Sequence, residues 1–91
     1  MSHTIREKQK LINRVRRIRG QMEGIERMLE AEKGCEEVMQ LIAGVRGAIN
    51  GLMGEVVEDH IRMHLAAPTL PQEERDVGAA ELIDVVRAYL K

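Results

Sequence analysis

The residues best suited to chemistry in this 91-residue chain are its only cysteine, Cys35, and two of its three histidines, His60 and His64. The histidines are four positions apart, so on a helix they lie on one face and can bind one metal ion together. Cys35 precedes His60 by 25 residues, close to seven helical turns, so on one continuous helix the thiol shares that face roughly 37 Å away. One chain therefore cannot close a site from these three side chains.

A second copy of the helix, running antiparallel, would bring its Cys35 beside His60 and His64 of the first copy, and symmetry would give two identical sites. The midpoint between Cys35 and His60 is near Gly47 and Ala48, in a stretch rich in small residues. Small side chains there would let a second backbone approach closely. The spacing and the small residues therefore both predict an antiparallel dimer with metal sites between subunits.

The first element needed to position these residues is a basic, amphipathic helix from about Thr4 to about Glu32. Its apolar residues recur at intervals of three and four, which is the helical period. Thr4 followed by Glu7 fits a capping box at its start. Gly34 is expected to end it.

The second predicted helix runs from Cys35 to about Leu65, with a heptad-like apolar stripe that begins at the cysteine and continues into both histidines. Residues 66–71 contain both prolines and predict a linker, because proline disfavours helical geometry in the residue before it. A third, acidic helix is expected over 72–91, with Gly78 as a weak point. These three elements predict an all-α fold.

Composition limits the class of protein further. With 44% hydrophobic residues, one tyrosine and no phenylalanine or tryptophan, residues 1–91 are expected to form one small domain with a marginal core that oligomerises. We expect a cytoplasmic protein with no membrane partner, because no leading apolar signal and no apolar run near the roughly 20 residues of a membrane span is present. A lone cysteine in a reducing compartment stays available as a ligand or nucleophile. An enzyme is least consistent with the sequence, which lacks a recognisable catalytic constellation.

The net charge of −1 conceals a basic N-terminal segment, since the first 20 residues carry +6 and the other 71 carry −7. Arg6, Lys10, Arg14 and Arg17 fall within about 80° on a helical wheel, and such an uncompensated stripe suits phosphates. The predicted DNA contacts are Lys10, Arg14, Arg16, Arg17, Arg19 and Arg46. No helix-turn-helix, zinc-finger or ribbon signature is present, so DNA recognition would depend on shape and backbone.

Each of these features also has an ordinary structural interpretation. A histidine pair on a helix is often solvated, a lone cysteine is usually a small buried hydrophobe, and a charged stripe is commonly a solvated face. The metal-site hypothesis is favoured because the thiol and both imidazoles occupy positions of the apolar stripe where a packing residue is expected.

Three stretches carry a family resemblance: RVRRIRGQMEGIERMLE, then Cys35, then QLIAGVRGAINGLMGEVVEDH. Together they resemble the CsoR/RcnR family of small all-α bacterial transcriptional repressors over nearly the whole chain. The resemblance implies a three-helix protomer, antiparallel dimers that pair into a disc-shaped tetramer, and effector sites between subunits. It also implies that four positions set the effector. In this chain those positions hold His3, Cys35, His60 and His64, and Ser2 with a free N-terminal amine adds a further candidate ligand.

This ligand set and the opening MSHTIREKQKL resemble the nickel- and cobalt-responsive RcnR branch. One thiolate with two or three nitrogens suits borderline divalent ions such as Ni(II), Co(II) and also Zn(II). The expected function is a repressor that binds operator DNA when metal-free. Binding of Ni(II) or Co(II) would release the repressor from the operator and derepress a metal-efflux gene.

Other branches of the family give the alternatives. Copper(I)-sensing members use two cysteines and one histidine, whereas the last position here is His64. Formaldehyde-sensing FrmR members pair an N-terminal proline with the cysteine and lack the last histidine, whereas this chain has Ser2. RVRRIRG and the closing RAYLK nevertheless resemble FrmR, and Met63 stands where RcnR is expected to carry a carboxylate. The alternatives are a formaldehyde-responsive repressor that uses Cys35 as nucleophile, and a helical metal carrier or scaffold without a DNA role.

Overall fold

The computed structural model describes the backbone of residues 5–90 and the side chains of residues 7–90. Three helices lie in that range: α1 covers Ile5–Glu30, α2 covers Cys35–His64 and α3 covers Gln72–Tyr89. The predicted all-α fold is confirmed, because residues 5–90 contain no strand. The candidate ligands Ser2 and His3 and the predicted cap at Thr4 lie outside the described residues. None of the three helices is long and apolar enough to cross a membrane.

The turn between α1 and α2 is built at Glu32 and not at the predicted Gly34. Glu32 has a φ of 54°, in the left-handed region that normally favours glycine. Its N–H donates to the Leu29 carbonyl at 3.1 Å, and the Lys33 N–H donates to the Met28 carbonyl at 3.0 Å. These two bonds form a Schellman motif, which satisfies carbonyls that the helix end would otherwise leave open. Gly34 comes after this turn, directly before α2.

The described chain divides into two compact units, with the boundary inside α2 after Met53. The first unit contains α1 and the first part of α2, and its buried apolar residues are Ile25, Val38 and Val45. Other members of the predicted apolar stripes remain about half exposed, and these are Val15, Met22, Met39, Ile42 and Ile49. A single chain therefore covers only part of the apolar face of this unit.

The second unit contains the end of α2, the linker and α3, and the predicted linker over residues 66–71 is confirmed. The Arg75 guanidinium donates to the Ala67 carbonyl at 3.1 Å, which fixes the linker against the first turns of α3. Pro71 is extended, with φ −61° and ψ 150°, and directly precedes α3. Gly78, predicted to be a weak point of α3, is instead buried against the last residue of α2, His64.

Candidate metal centre

His60 and His64 lie side by side in the last turns of α2, as their spacing predicts. Their ring centroids are 4.9 Å apart with an angle of 39° between the planes, and both side chains are partly buried. One ion at about 2.1 Å from a nitrogen of each ring is compatible with this separation. The pair therefore supplies two nitrogen donors from one face of one helix.

The packing of α3 determines which nitrogen of His60 is available. His60 Nε2 lies 2.8 Å from the Gly78 carbonyl oxygen and 3.9 Å from a carboxylate oxygen of Glu81. A carbonyl oxygen only accepts hydrogen bonds, so Nε2 must carry the proton in this contact. In the neutral ring Nδ1 then holds the lone pair. Metal-bound histidines commonly donate their other N–H to a carbonyl or carboxylate in this way, so the surroundings of His60 fit a ligand that binds through Nδ1.

Gly78 permits this contact because it has no side chain. A Cβ atom built on Gly78 would lie 2.8 Å from His64 Cβ and would also overlap the His64 carbonyl oxygen. Any larger residue would therefore push α3 away from the end of α2 and lengthen the hydrogen bond from His60. Sequence reasoning missed Gly78 and Glu81 as parts of the site. The available signal was a glycine inside an otherwise helical pattern, which often marks close packing.

Cys35 is the first residue of α2 and is exposed, within a run of exposed residues from 29 to 37. It belongs to the first unit, whereas the histidine pair belongs to the second. Among residues 5–90 no group of three or more His, Cys, Asp or Glu side chains is arranged to hold a metal ion. The described chain therefore brings together two of the predicted ligands, His60 and His64, and does not group Cys35 with them.

The basic side chains predicted to contact DNA all lie in the first unit, and they differ in exposure. Five of them are exposed: Lys10, Arg16, Arg17, Arg19 and Arg46. Arg14 is only partly exposed, and its guanidinium lies over the backbone of Gly51 in α2. The exposed cations can approach a polyanion without rearrangement, which fits the predicted phosphate contacts.

Comparison with known proteins identifies the family of this chain. The chain matches the family model of the metal-sensitive transcriptional repressors over residues 7–88. It is 50% identical to a protein from the bioA 5′ region of Serratia marcescens, over 100% of both chains. It is 40% identical to the transcriptional repressor RcnR of Citrobacter koseri, again over 100% of both chains.

Two solved structures share the fold. A variant of the formaldehyde-responsive regulator FrmR from Salmonella enterica serovar Typhimurium superposes with a TM-score of 0.89 and 45% identity, covering 97% of this chain and 99% of that one. The copper-sensing repressor CsoR with Cu(I) from Geobacillus thermodenitrificans gives a TM-score of 0.87 at 24% identity, covering 100% and 94%. Given the family match over residues 7–88 and the full-length similarity to RcnR, this chain belongs to the CsoR/RcnR family of metal-sensitive transcriptional repressors.

Proposed function

We propose that this chain is a cytosolic repressor that binds operator DNA when metal-free and releases it when Ni(II) or Co(II) binds, which derepresses a metal-efflux gene. The observation that carries the proposal is the histidine pair, with rings 4.9 Å apart and His60 Nε2 held by the Gly78 carbonyl. That hydrogen bond leaves Nδ1 of His60 as the donor. Two imidazoles with one thiolate favour borderline divalent ions, and Zn(II) also fits this donor set.

The remaining ligands would come from a second copy of the chain and from the N-terminus. Cys35 of the second copy would join His60 and His64, with His3, Ser2 or the N-terminal amine completing the set. The half-exposed apolar face of the first unit supports such pairing, because surface of this kind is normally covered by a partner. The tetramer would be a dimer of such dimers. When bound, the metal supplies a link between donors on different subunits.

The basic stripe of α1 would bind the phosphates of operator DNA, since Lys10 and Arg17 are exposed and the stripe holds four of the seven basic residues among the first 20. Arg17→Ala should weaken DNA binding at every sequence and reduce the salt slope by about 1. Arg87→Ala removes the same charge from α3 and serves as the control. Equal DNA affinity of both variants would contradict the assignment of the stripe.

Metal and DNA would bind different sites, and binding of one would lower the affinity for the other through an allosteric change in the protein. Metal affinity must then be weaker in the DNA-bound form by the same factor by which metal weakens DNA affinity, typically about 1 to 3 kcal/mol of coupling. This reciprocity is measurable as a lower Ni(II) affinity of the protein in the presence of saturating operator.

The decisive experiment titrates Ni(II), Co(II), Zn(II), Cu(I) and formaldehyde separately into the protein bound to a duplex from the DNA adjoining its own gene. We expect release by Ni(II) or Co(II), measured as a fall in fluorescence anisotropy of the labelled duplex. Cys35→Ala should keep DNA affinity and lose this response, whereas Arg62→Ala, which changes an exposed residue between the histidines, should keep both. Release by formaldehyde alone would reject the metal proposal.

A formaldehyde-responsive repressor is the second candidate, because Cys35 is exposed and the chain is 45% identical to an FrmR variant. The Cys35 thiolate sulfur would add to the carbonyl carbon, and the resulting oxygen would take a proton from water to give an S-hydroxymethyl group. Cys35→Ala would abolish either response. His64→Ala separates the two candidates, since it should remove the response to metal and preserve a response to formaldehyde.

A further inference from the structure

Gly51 of α2 lies directly beneath the guanidinium of Arg14 from α1. A Cβ atom built on Gly51 would lie 2.6 Å from Arg14 Nη1 and 3.7 Å from Cζ. Cβ atoms built on the other glycines of α2, which are Gly44, Gly47 and Gly54, would meet nothing within 4 Å. Gly51 is therefore distinguished from its neighbours by one specific contact, and that contact is with a cation of the basic stripe.

Arg14 differs from the rest of the stripe in its surroundings. Lys10 and Arg17, on the same face of α1, are exposed, whereas Arg14 is partly buried and reaches across to the backbone of α2. Both residues of the contact lie in the first compact unit. The Arg14 side chain has therefore lost much of its rotamer freedom on folding, and the exposed cations would lose theirs only when they bind.

We infer that Gly51 is a positioning residue: because it lacks a side chain, it leaves the space in which the Arg14 guanidinium lies, and so it sets the position of this cation as the pre-ordered phosphate contact of the basic stripe. The inference rests on the proposed function as a DNA-binding repressor. A guanidinium presents its donors in a rigid fork that matches a phosphate, so fixing its orientation in advance increases affinity more than for a flexible ammonium. A partly buried cation is also screened less by salt than an exposed one.

Only glycine leaves room for the guanidinium at position 51. The atom that a methyl group would displace is the far end of a flexible side chain, so Gly51→Ala should move Arg14 and leave the helices in place. Alanine also forms helix better than glycine, so the variant should fold at least as well as the wild type. The substitution therefore tests the position of Arg14 without removing its charge.

The experiment compares Gly51→Ala with Gly44→Ala in the metal-free protein, using a fluorescent duplex from the DNA adjoining its gene over a range of salt concentrations. Gly44 is a matched control because it lies one heptad earlier on the same face of α2, in open space, and equally far from the predicted dimer midpoint. We expect Gly51→Ala to weaken DNA binding about tenfold. The displaced Arg14 side chain would regain its rotamer freedom, and the entropy lost when DNA orders it again would reduce the affinity by about this factor. The salt slope of Gly51→Ala should stay unchanged. Gly44→Ala would affect a close helix pairing at the dimer midpoint to the same extent, so it should bind about tenfold more tightly than Gly51→Ala does.

A double-mutant cycle shows whether Gly51 acts through Arg14. Arg14→Ala should weaken binding and reduce the salt slope by about 1, and adding Gly51→Ala to it should cause no further loss. Equal affinities of Gly51→Ala and Gly44→Ala, or an undiminished effect of Gly51→Ala without Arg14, would overturn the inference while leaving the proposed function intact. Failure of the wild-type protein to bind the duplex would instead reject the proposed function, and the inference with it.

Discussion

The two ends of α2 carry the two halves of the candidate metal centre in different surroundings. At the C-terminal end His60 and His64 pack against α3, and Gly78 and Asp59 beside them are buried. At the N-terminal end Cys35 lies in a run of nine exposed residues, 29–37. One half is therefore arranged by contacts within the chain, whereas the other is left at the surface.

This difference indicates how the two halves could be assembled. Ligands that are held by hydrogen bonds and close packing need little reordering when they bind, so the histidine end is the pre-organised part. An exposed thiol gains fixed neighbours only when something covers it. In the proposed dimer the C-terminal end of one α2 would cover the N-terminal end of the other, so each end would supply what the other lacks.

Subunit mixing tests this complementarity and gives the largest expected effect. Cys35→Ala should show no thiolate-to-nickel charge-transfer absorption when purified alone, because it lacks the thiolate, and His64→Ala should show little, because the loss of an imidazole weakens nickel binding in every site. After subunit exchange between them, half the dimers would be mixed and would contain one intact site each, so about one quarter of the wild-type absorption should return. The control mixes C35A with the C35A/H64A double variant, which offers no intact site. Absence of recovery in the first mixture would show that the site does not span two subunits.

Substitution of Gly78 tests the packed end. Gly78→Ala should destabilise the metal-free protein by about 2 kcal/mol, because the overlap with the His64 backbone costs more than the better helix propensity of alanine returns. Gly54→Ala is the control, since its Cβ would meet nothing within 4 Å and it should be neutral or stabilising. Urea unfolding at one fixed protein concentration measures both. Equal stabilities of the two variants would mean that α3 does not pack on α2 as described.

Removal of a candidate ligand should lower the stability of the metal-free protein more at the C-terminal end of α2 than at its N-terminal end. His60→Ala removes the side-chain donor to the Gly78 carbonyl and the packing of a partly buried ring, and it should cost about 1 to 2 kcal/mol of unfolding free energy. Cys35→Ala removes an exposed side chain and should change it by less than about 0.5 kcal/mol. The two variants are compared by thermal or urea unfolding in the presence of a chelator. A cost at Cys35 as large as that at His60 would remove the distinction between the ends.

Most of the fold could be predicted from the sequence because each helix gives a local periodic pattern of apolar residues. The predicted second helix, Cys35 to about Leu65, agrees with the observed Cys35–His64 to within one residue, and the proline-containing linker over 66–71 is confirmed. The adjacency of His60 and His64 follows in the same way from their spacing of four. These features depend only on residues within a few turns of one another.

The features that could not be predicted depend on contacts between elements. Gly78 looks like a weak helix position in the sequence, and only the packing of α3 on His64 explains it. The contact between Gly51 and Arg14 joins positions 37 residues apart, beyond the reach of any periodicity. At the end of α1, glycine preference favoured Gly34, but the hydrogen bonds of the turn place the left-handed residue at Glu32.

The turn before Cys35 gives the smallest expected effect and tests whether the exposed end carries local strain. Glu32→Gly should stabilise the protein by about 0.5 to 1 kcal/mol. The free energy gained by relieving the left-handed conformation of a non-glycine residue should exceed the free-energy cost of the extra backbone entropy that glycine gives the unfolded chain. Glu30→Gly is the matched control. It replaces an exposed glutamate of the last turn of α1, where glycine should instead destabilise by about 0.5 to 1 kcal/mol. Opposite signs in urea unfolding would confirm that the chain leaves α1 at Glu32, two residues before the glycine favoured by sequence. If both substitutions destabilise the protein, α1 does not end at the left-handed Glu32, and the turn that leads into Cys35 has a different geometry.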